Sequence, residues 1–532
     1  TKTTTIMKLT NLSRILFTVA LLNVFVFAPS CAEADEADKT EDIIPDEDDS
    51  TEDNSSSIEP AEPLNSYTVS SKAEFDEAVK KVVPGDEIVL ANGTYTDIEF
   101  EFDADGEEGN LIYLRGEDPS QVFISGSSQI KFGGDYLYVY NLSFNGCVAT
   151  TSSSKGTIVE FRNGSSNEAY HCTLSDCHFD ACVPEDKSFD DVWVNVYGQY
   201  NTIQRCYFGD KDNKGLYIVV WHKDAKADYC TIRENYFYRP ISYNSEENGQ
   251  EIIRIGDSTN STTDSSTLVE DNFFYQCNGE VEIISIKSGD NTINRNTFLE
   301  CVGCVTLRHG NYNTVSNNYL IANNISKAGG VRIINKGHKI YNNYFYGHIT
   351  DDTRAPISIQ LGVLDGELNE YDPVSDVTIA NNTMIGCKQN FSFGVSGTNT
   401  TVPPTDVLIT GHIAVTDQTS TLIDDNGTDT SGITFSDSYL EGKSGVISGD
   451  GLLSSCDYTE TTMTIAGTTF PKLVATTTYD SAPEYVTEDI SGIERTSPTP
   501  IGAIADAASA PAATIADNTN CGPNWSGWYK PL

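Results

Sequence analysis

Hydrophobic and polar residues alternate in short runs along most of the chain, and one pattern returns at nearly regular intervals. A large apolar residue ends each short β segment, and Asn often stands two positions before it. The closest spacings are 24, 22 and 25 residues, and the larger ones fit the same unit with an inserted loop. The repeat residues are Phe144, Phe179, Phe208, Phe237, Phe274, Phe298, Leu320, Phe345 and Met384.

A period of this size predicts a solenoid. Because each unit contains short strands and turns, the pattern predicts an all-β chain folded as a single-domain, right-handed parallel β-helix. Successive coils should stack the repeated Asn side chains into a hydrogen-bonded ladder, at a turn position that tolerates αL geometry. The ladder residues are Asn235, Asn272, Asn296, Asn318, Asn343 and Asn382.

A helical pattern precedes the first strands. Ser70 and Ser71 offer an N-cap, apolar residues follow at helical spacing from Phe75 to Val82, and Pro84 ends the run. We expect this helix to cap the open N-terminal end of the solenoid, which otherwise exposes apolar surface.

The N-terminal region carries the pattern of an exported lipoprotein. The apolar run 15–28 follows basic residues, is too short to span a bilayer comfortably, and leads to Cys31, so residues 1–31 are predicted to be a signal peptide with Cys31 lipidated. Ordinary secretion with an incidental cysteine is the alternative. Residues 32–65 hold fourteen acidic residues and a single lysine, which predicts a disordered tether. Outer-membrane or cell-surface display, or else a periplasmic location, is expected.

We therefore predict a β-helix catalytic domain over residues 66–420, with further coils and an extension packed on it over 421–532. The formal charge of −44 makes broad attraction to nucleic acid or to an anionic membrane surface improbable, so an anionic partner needs a local basic cluster. Membrane contact is expected only through the lipid, and a monomer is expected.

Cysteines follow the repeat position by three residues in several coils. We interpret them as buried, mostly reduced fillers of the interior, although disulfides are the usual reading of thirteen cysteines in an exported protein. The five cysteines at this position are Cys147, Cys182, Cys277, Cys301 and Cys387.

The stretch EVEIISIK concentrates charge on a strand that otherwise reads as buried. Glu280 and Glu282 alternate with apolar residues, so both acids should face outward. The doublet Ile283-Ile284 shifts the alternation by one position, which places Lys287 on the same outer face.

Arginines stand at corresponding places in neighbouring coils. Arg254, Arg308 and Arg332 should also point outward, and because adjacent coils lie about 4.8 Å apart they should line one groove. Four other basic residues could extend the groove but are as readily structural or surface residues: Arg354, Lys336, His222 and Lys223.

These motifs resemble a known family. NGxExIRIG, GExEIISxKS, LRHG and a GGxRI coil, together with the opening SSKAEFDEAVKKVVPGDEIVLANGTY, resemble polysaccharide lyase family 6, which contains alginate lyases and chondroitinase B. The spacings agree, with five residues from Glu282 to Lys287 and 21 from Lys287 to Arg308. The resemblance extends from about residue 66 to the C-terminus.

The resemblance implies roles for individual residues. It implies a calcium ion held by Asn248, Glu280 and Glu282, with Lys287 as base and Arg308 as acid. It also places Arg254, His309 and Arg332 at the substrate.

The implied chemistry is consistent with these residue types. β-Elimination from a uronate removes a weakly acidic C5 proton, and a cation on the neighbouring carboxylate stabilises the resulting anion. Asn and Glu supply the hard oxygen ligands that calcium prefers. A guanidinium seldom releases a proton, so Arg308 could instead stabilise the leaving oxygen while water supplies the proton.

The sequence thus predicts a calcium-dependent lyase acting on a uronate polysaccharide, with alginate as the favoured substrate. A dermatan or chondroitin lyase is the alternative within the class. A non-catalytic, glycan-binding surface lipoprotein is the alternative outside it.

Overall fold

Three long parallel sheets are wound from short strands in the computed structural model, which describes residues 58–148, 156–223, 225–244, 247–506 and 513–532. Each coil contributes a strand to each sheet, which makes the molecule a right-handed parallel β-helix, as the repeat predicted. Strands are numbered here in chain order.

The first sheet contains β1 (Ser66–Val69), β2 (Glu87–Leu90), β5 (Ile112–Gly116), β8 (Leu137–Tyr140), β12 (Thr173–Ser175), β15 (Thr202–Gln204), β18 (Thr231–Arg233), β21 (Leu268–Glu270), β24 (Thr292–Asn294), β27 (Thr314–Ser316), β30 (Lys339–Tyr341), β33 (Ser375–Ala380), β36 (Thr405–Thr410) and β39 (Ile433–Ser436). The second sheet contains β4 (Glu99–Asp103), β7 (Gln129–Asp135), β10 (Gly156–Glu160), β11 (Ala169–Tyr170), β14 (Asp191–Val196), β17 (Gly215–Val220), β20 (Ile253–Gly256), β23 (Glu282–Lys287), β26 (Gly303–His309), β29 (Ala328–Ile333), β32 (Ile357–Gln360), β35 (Phe391–Val395) and β38 (Ile423–Asp424). The third sheet contains β3 (Gly93–Thr96), β6 (Val122–Gly126), β9 (Ser143–Cys147), β13 (His178–Asp180), β16 (Tyr207–Gly209), β19 (Tyr236–Tyr238), β22 (Phe273–Tyr275), β25 (Thr297–Leu299), β28 (Tyr319–Ile321), β31 (Tyr344–Tyr346), β34 (Thr383–Ile385), β37 (Ile413–Val415), β40 (Tyr439–Gly442) and β41 (Gly445–Val446). The last strand of the third sheet, β41, pairs antiparallel with β40. Two further antiparallel pairs, β42 (Tyr458–Ile465) with β43 (Thr468–Ala475) and β44 (Thr478–Tyr479) with β45 (Thr499–Pro500), complete the strands.

The apolar repeat forms one continuous column in the core. All nine repeat residues pair in register along the third sheet, from Phe144 with Phe179 to Phe345 with Met384. The phenylalanine rings stack on their neighbours, with centroids 4.3 Å apart for Phe144 and Phe179 and 4.5 Å apart for Phe274 and Phe298. The period predicted from the sequence is therefore the coil length of the fold.

The asparagine ladder is also confirmed. Asn296 accepts hydrogen bonds from the backbone N–H and side-chain amide of Asn272 at 3.1 and 2.9 Å, and donates in the same way to Asn318. The αL conformation, however, belongs to the preceding residue: φ is +53° at Arg295 and +56° at Asn317. The prediction that the ladder Asn itself takes αL geometry is wrong, because its side chain must point inward to reach the next coil.

The repeat cysteines are buried. None of the cysteines in the described residues is paired in a disulfide, and the N–H of Cys277 donates to the sulfur of Cys301 at 3.4 Å. This agrees with their prediction as interior fillers.

The N-terminal helix α1 (Lys72–Val79) begins where the sequence predicts. Ser71 is its N-cap and accepts a hydrogen bond from the N–H of Glu74. Phe75 is buried against Phe100 of β4, with ring centroids 4.9 Å apart, which covers the first coil.

Only the end of the predicted tether belongs to the described residues. Ile58 accepts a hydrogen bond from the phenol of Tyr138, and Glu59 pairs with Arg205 at 2.9 Å, so contacts with the first sheet begin before residue 66. The predicted signal peptide and Cys31 lie outside the described residues. No helix in the described part of the chain is long and apolar enough to cross a membrane.

The C-terminal extension covers the outer face of the third sheet. Phe470 and Ile504 pack among the outward tyrosines of this sheet, including Tyr344. The extension reaches back to an early coil, where the ring centroids of Trp528 and His178 lie 5.9 Å apart. It therefore extends well beyond the last coils. The third sheet is thereby shielded, and the second sheet carries the candidate site.

Candidate active site

The charged residues singled out in the sequence lie on consecutive strands of the second sheet. Arg254 is on β20, Glu282 and Lys287 are on β23, Arg308 is on β26 and Arg332 is on β29. These four strands are hydrogen-bonded neighbours. Parallel pairing at a spacing of about 4.8 Å brings their outward side chains within reach of one another.

Two bulges set which residues face the groove. Glu282 pairs with Cys304 but Ile284 pairs with Val305, so the Ile283 position is extra, as the doublet predicted. Farther along the same strand pair Lys287 is opposite His309, so Arg308 is the extra residue of β26. A bulge re-aims the side chain it carries, and here it displaces Arg308 from the column that contains Gly256 and Lys287, where His309 takes its place.

Glu282 connects the two arginines. Its Oε1 lies 3.2 Å from Arg332 Nη1 and 3.8 Å from Arg308 Nε. Both guanidinium groups also lie over the ring of Tyr371, at 4.2 Å for Arg308 and 5.3 Å for Arg332, and the phenol of Tyr371 accepts a hydrogen bond from Arg332 Nη2 at 2.6 Å. Tyr371 thus holds the pair from the side opposite the sheet.

The acids are covered, contrary to their predicted solvent exposure. Glu280 and Glu282 are each 6% exposed. Loop residues cover Glu280, since the N–H groups of Gly249 and Gln250 both donate to its Oε1, at 2.8 and 3.2 Å. An outward-facing strand position is buried wherever an inserted loop folds back across it.

A third carboxylate belongs to this cluster. Glu251 is 1% exposed and its Oε2 has no hydrogen-bond partner. Burial, together with the negative charges of Glu251 and Glu282, raises the pKa of Glu280 to about 8. The carboxylates repel one another, and among the described residues Glu282 forms ion pairs with Arg308 and Arg332.

This donor set fits a hard divalent cation. Calcium prefers carboxylate and amide oxygens, and a bound cation offsets the repulsion that raises the Glu280 pKa. Asn248 is exposed in the same loop, directly before Gly249, and its side-chain amide forms no hydrogen bond with a described residue. Within the described residues, no group of three or more acidic, histidine or cysteine side chains could hold a metal ion by itself.

Lys287 is half-buried at the end of β23, and its side-chain amine makes no hydrogen bond or ion pair with any described residue. Its ladder partner His309 is buried, and burial together with the positive charges of Arg308 and Lys287 lowers the pKa of His309 to about 3. The imidazole is therefore neutral at ordinary pH and adds no charge to the groove. Burial also lowers the pKa of Arg308.

Arg254 lies at the N-terminal side of the groove. Its guanidinium sits 4.8 Å from the ring centroid of Trp221, and its Nε is buried without a hydrogen-bond partner. Of the four residues that could extend the groove, His222 is fully buried and bonded to Asp228 and Thr263, which makes it structural. Lys223 and Lys336 are exposed, and Arg354 lies in a 3-10 helix that spans Asp352–Arg354.

Sequence reasoning missed three residues of this site. Tyr371 lies in the inserted segment 363–376, which carries no repeat signal. Glu251 stands inside the quoted motif NGQEIIRIG, and its acidic character beside a predicted ligand was the available signal. Trp221 directly follows a buried strand, a position that reads equally well as core.

Comparisons with known proteins agree with this arrangement. The family model of chondroitinase B matches residues 69–442. The solved structure of the PL6 family alginate lyase AlyGC is 33% identical with a TM-score of 0.71, over 84% of this chain and 59% of that chain. A mutant of AlyGC gives 32% identity and a TM-score of 0.75, over 88% and 59%.

A mannuronic acid specific polysaccharide family 6 lyase from human gut microbiota is 29% identical with a TM-score of 0.63, over 71% of this chain and 86% of that chain. The chain spans about three fifths of the length of AlyGC. No curated protein matches the sequence significantly.

Proposed function

Because the chain belongs to the chondroitinase B family, polysaccharide lyase family 6, we propose that it is a calcium-dependent lyase that cleaves alginate by β-elimination and leaves 4,5-unsaturated uronate ends. The observation that carries the proposal is the convergence of Glu282, Lys287, Arg308 and Arg332 on adjacent strands of one sheet. Its alginate lyase relatives favour alginate over dermatan or chondroitin sulfate as substrate.

Lys287 is the base in this proposal. Its amine has no hydrogen-bond or ion-pair partner among the described residues, so it can approach the C5 proton of a bound uronate. The lowered pKa of His309 makes its imidazole a weak proton acceptor, which favours the amine of Lys287 as the base at this position of the groove.

Arg308 acts at the leaving O4 oxygen. Its Nη1 is buried and has no hydrogen-bond partner in the part of the chain that the structure describes, so a donor is available for substrate. Burial lowers its pKa, which favours proton donation. In the alternative role, the same guanidinium stabilises the developing oxyanion while water supplies the proton.

Glu280, Glu282 and Asn248 would hold the calcium ion, with Glu251 adding negative charge close by. When bound, calcium would supply positive charge beside the substrate carboxylate, which makes the C5 proton more acidic. Arg332, fixed by Glu282 and Tyr371, and Arg254 are placed to orient neighbouring carboxylates of the polymer.

The test is an ultraviolet absorbance assay for the unsaturated product on alginate, dermatan sulfate and pectate, with and without a chelator. We expect signal on alginate that the chelator abolishes. Lys287→Ala should lower the rate at least about a thousandfold, while exposed Lys443→Ala should leave it unchanged. Signal on dermatan sulfate alone would reassign the substrate, and no signal on any polymer would favour the non-catalytic glycan-binding protein.

We also propose that lipid on Cys31 tethers the protein to the outer membrane. Cys31→Ser should move the protein from the membrane fraction to the soluble exported fraction. Recovery of the unaltered chain in the soluble fraction would contradict the tether.

A further inference from the structure

A group of aromatic rings and cations lies beside the proposed catalytic residues, on the coils N-terminal to them. Tyr197 and Trp221 stack with an interplanar angle of 6° and a centroid separation of 6.0 Å. Cations surround the two rings, and together the five residues form what we call the aromatic–cationic patch: Arg162, Tyr197, Trp221, Lys223 and Arg254.

The patch is in line with the proposed base. Val220 pairs with Ile255 and Gly256 pairs with Lys287, so Trp221, one residue beyond Val220, continues the column that contains Lys287. The coil between them contributes Gly256 to this column, a residue without a side chain. Two coil spacings amount to about 10 Å, a distance that a short oligosaccharide bridges.

The indole is held in a fixed orientation. Its Nε1–H donates to Asn195 Oδ1 at 2.7 Å, and Arg254 and Lys223 lie 4.8 and 4.9 Å from its centroid. A rigid aromatic surface of this kind suits the C–H face of a pyranose ring, because it buries apolar area without new ordering of the protein.

The cations of the patch are only partly neutralised. Arg162 pairs with Glu160 at 2.7 Å, but neither Lys223 nor Arg254 forms an ion pair with a described residue. A small, open surface depression adjoins Trp221 and Lys223, with Lys226, Glu168 and Asp228 also in its lining. In a chain with a formal charge of −44, cations without an acidic partner at such a depression indicate an anionic ligand.

We propose that the aromatic–cationic patch is a distal subsite that binds a uronate unit of the polymer, with its ring on Trp221 and its carboxylate at Lys223. This inference rests on the proposed function, since it assigns the N-terminal end of the same groove. The subsite makes turnover depend on chain length, because only substrates long enough to reach it gain its binding energy.

The test compares alginate oligosaccharides of increasing length with the polymer. Lys223→Ala removes an exposed cation with little packing, and we expect kcat/KM for long chains to fall about fivefold at low salt while the shortest cleavable oligosaccharide is unaffected. Trp221→Ala should have a larger effect of the same kind, and Trp221→Phe keeps a ring if the alanine variant folds poorly. Exposed Lys443→Ala and Tyr529→Ala are the controls for charge and for aromatic surface.

Failure of this inference is distinguishable from failure of the proposed function. Equal loss at all lengths, or no loss, with an active wild-type enzyme would overturn the subsite alone. If the wild type shows no lyase activity, the subsite can still be tested by tryptophan fluorescence. Alginate oligosaccharides should then quench Trp221, and loss of this quenching in Lys223→Ala and Trp221→Phe would support the subsite. If the wild type shows neither lyase activity nor fluorescence quenching, both the subsite and the proposed function are overturned.

Discussion

Replacing Glu280 by Gln tests whether the carboxylate cluster is built for a cation. The substitution removes a charge but keeps the acceptor oxygen that Gly249 and Gln250 bond. Because the pKa of Glu280 is raised to about 8, the folded protein holds a proton there that the unfolded chain releases above about pH 4.5. The carboxyl of Glu280 therefore leaves the free energy of unfolding unchanged at low pH and lowers it progressively as the pH rises to about 8.

The size of the effect follows from the shift. A rise from 4.5 to about 8 corresponds to at most ~5 kcal/mol, of which ~3 kcal/mol falls between pH 5.5 and 8.5. Without calcium, Glu280→Gln should gain up to that amount of unfolding free energy relative to wild type across this interval. In millimolar calcium the order should reverse, because only the wild type retains the full ligand charge.

The assay is urea unfolding followed by tryptophan fluorescence at pH 5.5 and 8.5, in chelator and in calcium. Exposed Glu484→Gln is the matched control, since it removes the same charge where nothing is buried. A difference between Glu280→Gln and wild type that stays constant from pH 5.5 to 8.5, or that calcium leaves unchanged, would refute the reasoning.

Three further predictions concern the groove and the core. Tyr371→Phe removes the oxygen that accepts the hydrogen bond of Arg332 but keeps the ring over Arg308. Steady-state kinetics should therefore show kcat/KM lowered by about threefold to tenfold. An unchanged kcat/KM would show that Tyr371 does not help to position the substrate. Asn296→Ala removes the ladder hydrogen bonds to both neighbouring coils. It should lower the free energy of unfolding in urea by about 2–4 kcal/mol and leave kcat unchanged. A loss below about 1 kcal/mol would mean that water replaces the amide. Phe274→Ala removes a fully buried ring and should cost about 3–5 kcal/mol by the same assay; a neutral result would contradict the continuous column.

The candidate site was predictable where it follows the repeat. Glu282, Lys287 and Arg332 each lie at a fixed place relative to an apolar core residue, and parallel pairing carries that place from coil to coil. The covering residues were not predictable. Tyr371 and Gln250 come from inserted loops, and a loop has no period from which its path can be read.

The amino-acid sequence by itself determined the solenoid, its coil length, its asparagine ladder and the outer face that carries the charges, because local alternation and a constant period dictate which side chains stack. Only the tertiary structure decided that Glu280 and Glu282 are buried, that Glu251 joins them, and that Arg308 occupies a bulge opposite Lys287. Burial and register depend on how separate coils and loops pack against one another. This packing sets the local dielectric and the nearby charges, and these determine the pKa and the chemistry of each side chain.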